Sequence, residues 1–124
     1  MQVRGIVFVG SHTFARGAMS QFARDVLGLV PSPISRPETD FFDLPDGSML
    51  AVKEPWDLDP AERSVGFLVD DVEAAAAELN AAGVLTDELN SNGRQRYVHF
   101  RAPDGQLYEL IENLSDPGGV ADTS

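Results

Sequence analysis

A chain of 124 residues with 43% apolar composition is long enough for one domain with its own core, and the absence of cysteine excludes thiolate nucleophiles, zinc–thiolate sites and iron–sulfur clusters. Twenty acidic against nine basic residues give a formal charge of −11, which disfavours nucleic acid and anionic membranes as partners; it either favours a cationic ligand or simply keeps the surface solvated. No run approaches the ~18 apolar residues of a membrane span, and MQVRGIVFVG lacks the length and cleavage site of a secretory signal, so a cytoplasmic location is expected.

Residues 3–9, VRGIVFV, are a β-rich run, and the polar GSHT after them offers Ser11 or Thr13 as a helix start. Met19, Phe22, Ala23, Val26 and Leu27 recur at helical spacing and predict one apolar face, with Gly28 where a C-cap belongs. The three prolines of VPSPISRP allow at most a short edge strand. TDFFDL, a PDG turn and SMLAVKE read as two strands joined in a hairpin. The polar PWDLDPAER, residues 55–63, reads as a connection between halves. SVGFLV (64–69) is the next strand, and Asp70 with Glu73 gives a capping-box start to a helix whose apolar face is Val72, Ala75, Ala76 and Leu79. Gly83 ends that helix, and VLTDEL, RQRYVHFR and QLYELIE supply three more strands, the last two around a second PDG turn.

The order β-α-β-β-β thus occurs twice, over about 3–54 and 64–113, within one domain of residues 1–113. Pro45 and Pro103 of the two PDG turns lie 58 residues apart, and Gly28 and Gly83 lie 55 apart. Residues 114–124 are expected to form a flexible tail.

FARDVLGL (22–29), FLVDDVEAAAAELNAAGV (67–84) and FRAPDGQLYELIE (100–112), in this order and on this repeat, resemble the vicinal oxygen chelate superfamily. That group includes glyoxalase I, the bleomycin-resistance proteins, extradiol dioxygenases, methylmalonyl-CoA epimerase and the fosfomycin-resistance enzymes. The resemblance covers about residues 3–113 and implies an α+β fold: two βαβββ modules forming a cup-shaped mixed sheet, helices on the convex side, a ligand in the concavity. It does not fix a function, because the same cup serves lyases, isomerases, dioxygenases, transferases and drug-binding proteins. Enzymes of the group usually hold a divalent metal on His and Glu from four strands, as a Lewis acid.

Carried over residue by residue, the resemblance puts a ligand carboxylate at Glu109, with Ala51, Gly5 and Ser64 at the other three positions. One donor in four implies that the usual metal site is degenerate and that no cofactor is bound, the alternative being a divalent metal on unconventional ligands. Two functions stay open: a protein that binds a small molecule in the cup, or an enzyme, metal-dependent or working without metal through His99 and Glu109. A third class is a module whose partner is another protein. The resemblance also implies a homodimer.

If the turn at 102–106 joins two antiparallel strands, 101 pairs with 107 and therefore His99 with Glu109. That pair reads either as structural, a buried carboxylate satisfied by an imidazole, or as functional, with Glu109 orienting His99 as a general base. Strand parity completes the expected ligand-binding set: Val7, Val9, Met49, Ala51, Ser64, Gly66, Leu68, Tyr97 and Arg101, with Trp56 near the rim alongside Phe41 and Phe42. The result is a mostly apolar concavity with one polar end. His12 reads as a loop or cap residue beyond the first strand.

Overall fold

A computed structural model describes residues 1–55 and 62–114, so Trp56 and the tail from residue 115 lie outside the described residues. In chain order the elements are β1 (Gly5–His12), α1 (Arg16–Asp25), β2 (Val30–Pro31), β3 (Thr39–Asp43), β4 (Met49–Lys53), β5 (Arg63–Leu68), α2 (Val72–Ala81), β6 (Asn90–Ser91), β7 (Gln95–Arg101) and β8 (Leu107–Asn113). All eight strands form one sheet in the order β2-β3-β4-β1-β5-β8-β7-β6. β1 and β5 run antiparallel at its centre, and each carries the last strand of its own module in parallel on the other side, β4 beside β1 and β8 beside β5. The repeat therefore appears as a pseudo-two-fold across the β1–β5 seam. The fold is α+β, a curled half-barrel with two helices.

Each module buries its helix against its own strands. Ala23, Phe42 and Val52 form one core, with Met19, Leu29 and Leu50 packed on it. Val69, Val72, Ala75, Val98 and Leu110 form the other, joined by Phe67, Leu79 and Phe100. Alternation in the strands then decides what is left for the cup: Leu50 and Val52 of β4 go to the helix side, and Met49 and Ala51 go to the opposite face.

Several local details differ from the expected pattern. The N-cap of α2 is Asp71, which accepts from the Ala74 N–H at 3.1 Å, whereas Asp70 pairs with Arg4 at 2.7 Å. At α1 no side chain caps the helix; Thr13 Oγ1 instead accepts from the Ala15 N–H just before it. Its apolar stripe is wider than the surface it covers, because α1 meets the sheet through β4, and Phe22, Val26 and Leu27 remain 45%, 69% and 52% exposed. VLTDEL forms no strand. There the Asp87 carboxylate takes the His99 backbone N–H at 2.6 Å, replacing a ladder carbonyl, and only the isolated bridge Thr86–Phe100 remains. Leu114, the first residue expected in the tail, still donates its N–H to the Arg94 carbonyl at 2.9 Å.

The largest departure is in β1. Ile6 is registered with Phe67 and Phe8 with Gly66, so Val7 is an extra residue in a bulge.

Candidate functional site

The bulge sets which side chains of β1 reach the cup. Phe8, Gly10 and His12 line the cavity, while Val9 takes the opposite face and neither Val7 nor Val9 lines it. The expectation for those two valines is thereby corrected, and its cause is the single inserted residue. His12 is likewise the buried last residue of β1, not a loop residue beyond it. Phe8 lies against the central seam because its neighbours there are glycines. A Cβ on Gly66 would stand 2.8 Å from Phe8 Cβ and 2.5 Å from Ile111 Cδ1; one on Gly10 would stand 3.1 Å from Phe8 Cε2 and 2.5 Å from Ser64 Oγ.

The cavity on the concave face is about 430 Å³. Its floor is Phe8, Gly10, Ala51, Glu109 and Ile111. One wall, from the first module, carries Arg36, Glu38, Thr39, Phe41 and Lys53; the opposite wall carries Asp87, Asn90, Asn92, Gln95, Tyr97 and His99. Charged and amide side chains stand on both walls and not at one end alone, while the larger part of the cavity surface is apolar.

Of the candidates read from sequence, Ala51, Tyr97, His99 and Glu109 line the cavity together. Met49, Ser64, Gly66 and Leu68 share the concave face but lie outside the lining. Arg101 turns to the strand end, donating to Glu62 Oε2 at 2.9 Å and to the Gly105 carbonyl at 3.1 Å. Trp56 is outside the described residues. Lys53 was within reach of sequence reading, since it shares the parity of Ala51. Asp87, Asn90 and Asn92 were not, because a non-ladder segment gives no parity to follow.

Glu109 and His99 are registered opposite each other on β8 and β7. Glu109 is only 6% exposed, and Ser64 Oγ donates to its Oε2 at 3.2 Å. Burial raises the Glu109 carboxyl above the usual range of a glutamate, and His99, Ser64 and Lys53 oppose that shift without cancelling it. His99 Nδ1 lies 2.8 Å from Asp87 Oδ2, and His99 Nε2 lies 3.6 Å from Glu109 Oε1. With the Nδ1 proton directed at Asp87, neutral His99 presents Nε2 as an acceptor toward Glu109. The 3.6 Å separation is longer than a hydrogen bond, so the two groups face one another across a gap.

The same fold is found in solved structures. The methylmalonyl-CoA epimerase of Mycobacterium tuberculosis superposes with a TM-score of 0.71 at 18% identity, over 90% of this chain and 89% of that one. A glyoxalase/bleomycin resistance protein/dioxygenase superfamily member from Vibrio splendidus 12B01 gives 0.62 at 21% identity, over 91% and 100%. The 2,3-dioxygenase LapB of Pseudomonas sp. KL28 gives 0.66 at 28% identity, over 90% of this chain and 41% of that chain. The chain has the fold of the vicinal oxygen chelate superfamily. No family model and no curated protein sequence matches it.

Placing the chain on the vicinal oxygen chelate fold allows its metal positions to be tested by register. β5 sets Ser64 beside Leu107 and Gly66 beside Glu109; β1 sets Phe8 beside Met49 and Gly10 beside Ala51. Since Ala51 and Glu109 match in the repeat, the strand-one match of Ser64 is Phe8, not Gly5. The four positions therefore hold Phe8, Ala51, Ser64 and Glu109, one carboxylate with one hydroxyl. Among the described residues no group of three or more His, Asp and Glu side chains is placed to hold a metal ion. This donor set does not fit the divalent centre of the superfamily.

Proposed function

We propose that the chain binds a small molecule in the concave cavity, using the Asp87–His99–Glu109 group for recognition, with the superfamily's metal site degenerate. The observation that carries this reading is Glu109 itself, a carboxyl nearly closed off from solvent yet facing a cavity of about 430 Å³, within the usual size of small-molecule sites. A buried carboxyl is costly unless neutral or well partnered, and among the described residues Ser64 is its hydrogen-bond partner, with His99 across the 3.6 Å gap. A ligand hydroxyl placed across that gap would serve both groups, donating to His99 Nε2 and accepting from the Glu109 carboxyl in its protonated form. Metal analysis of the purified chain tests the reading. About one equivalent of tightly held divalent ion per chain would defeat it, and ligand-induced NMR shifts confined to the cavity residues would sustain it.

A second reading is a metal-free enzyme in which His99 and Glu109 move a proton on the bound molecule. The order Asp87, His99, Glu109 favours it, because Asp87 fixes the tautomer while burial keeps the Glu109 proton to higher pH than an exposed glutamate would. In that case Glu109→Gln abolishes turnover in a folded chain, and retained activity in the variant counts against it. The same proposal includes a second copy of the chain as partner, supported by the exposed Phe22, Val26 and Leu27 of α1 and its C-terminal turn. It assigns no nucleic-acid or membrane partner, a reading that rests on the −11 charge. Among the described residues no helix is long and apolar enough to cross a membrane.

A further inference from the structure

The cavity wall from the first module brings two cations side by side. Arg36 bridges Thr39, and Thr39 is registered against Lys53, so both side chains reach the cavity from adjacent positions. Burial holds the Lys53 amine below its usual range, and the charge of Arg36 acts in the same direction. Like charges in a partly enclosed cavity repel one another, and an anion between them converts that repulsion into attraction.

Arg36 is also held in place. Its Nη2 donates to the Ser91 carbonyl at 2.7 Å and to the Tyr97 hydroxyl at 3.1 Å, both on the far side of the cup. These bonds use Nη2 alone and leave the Nη1 and Nε donors for a ligand, in the planar fork that matches a carboxylate. The acidic groups nearby limit the charge that fits. Glu38 and Glu109 act on Lys53 in the opposite sense to Arg36, and Asp87 is engaged by His99. Glu38 and Glu109 already offset much of the positive charge of Arg36 and Lys53, so the wall has room for one further negative charge at most, and a dianion would meet their repulsion. Phe8 and Phe41, on the same cavity surface, offer an apolar bed for the rest of the molecule.

We propose that the cavity takes a small monocarboxylate with an apolar body, its carboxylate held by Arg36 and Lys53 and its body against Phe8 and Phe41. The inference rests on the reading of the cup as a small-molecule site and narrows it to one charge class, opposite to the one the overall −11 would suggest.

Three probes of one shape and different charge test it on the full chain: benzoate, benzamide and benzylamine, titrated by calorimetry and by NMR at near-neutral pH. Benzoate is expected to bind about tenfold or more tightly than benzamide, the discrimination that a charge-assisted hydrogen bond gives. Inorganic phosphate is expected not to displace it. Lys53→Gln and Arg36→Gln should each weaken benzoate about tenfold while leaving benzamide within about twofold. Equal binding of benzoate and benzamide, preference for benzylamine, or displacement by phosphate overturns the monocarboxylate assignment and leaves the cup as a small-molecule site. Binding of none of the three at millimolar concentration overturns both readings. The comparison of probes on the unmodified chain stands even where a substitution prevents folding.

Discussion

Glu109 shows how strongly burial alone can set the behaviour of one carboxyl. A carboxyl whose folded-state titration is raised by burial adds stability at low pH, and that contribution is lost as pH rises through the folded value, where the charge must be carried without solvent. Glu109→Gln keeps the shape and the hydrogen bond from Ser64 and removes that charge. The variant is therefore expected to melt a few degrees above the unmodified chain at pH 7, the shift that about 1 kcal/mol gives in a domain of this size, with the difference closing as pH falls below the usual carboxylate range. Melting curves from pH 4 to 8 check both the sign and the trend. The Glu109–His99 pairing was legible in the sequence, because a short turn between two strands fixes register by counting. The role of Arg36 was not, since it arises from a contact across 55 residues to Ser91 that no local pattern encodes.

Among the elements, the β1–β5 seam shows where sequence parity succeeds and where it fails. Parity in β4, β7 and β8 places Ala51, Tyr97, His99 and Glu109 on one face, as alternation requires, because those strands are unbroken. The bulge at Val7 inverts the count from Phe8 onward, and nothing in VRGIVFV distinguishes a bulged strand from a regular one. Gly66, opposite Phe8, and Gly10, two residues along the same strand, were the available hint, since each omits a side chain where the ring passes. Gly66→Ala is accordingly expected to cost about 1–3 kcal/mol through overpacking against Ile111 and Phe8, and chemical denaturation measures it. The same substitution in the exposed turn at Gly47 meets no neighbouring atoms, but its backbone φ of 88° strains any other residue, so that position is a poor packing control.

For the whole molecule, duplication made the fold readable: each module carries its own helix, its own core and its own hairpin, so local signals agree with the global arrangement twice over. What joins the outer ends of the sheet is different in kind. Arg94, from the turn before β7, donates to Asp43 of β3 at 3.0 Å, and Arg36, from the loop before β3, reaches Ser91 of β6. Side chains, not a backbone ladder, draw the two ends together over the cup. Exposed ion pairs of this type contribute roughly 0–1 kcal/mol, so Arg94→Gln should leave thermal stability nearly unchanged. Amide exchange at β2, β3 and the 91–95 turn should nevertheless quicken in that variant, and exchange mass spectrometry reads the difference. Unchanged exchange would show that the cup's ends do not depend on this contact.

A mouth tied by charge and not by a ladder has a kinetic meaning. Opening requires only that a few guanidinium contacts part, and salt weakens the ion pair of Arg94 with Asp43, more than the Arg36 bonds to neutral acceptors, while hardly touching the packed cores beneath. The residence time of a molecule in the cup should therefore shorten as ionic strength rises even where the protein itself remains fully folded, which makes the ligand's off-rate, more than its affinity or the melting temperature, the quantity that reports on the arginine ties.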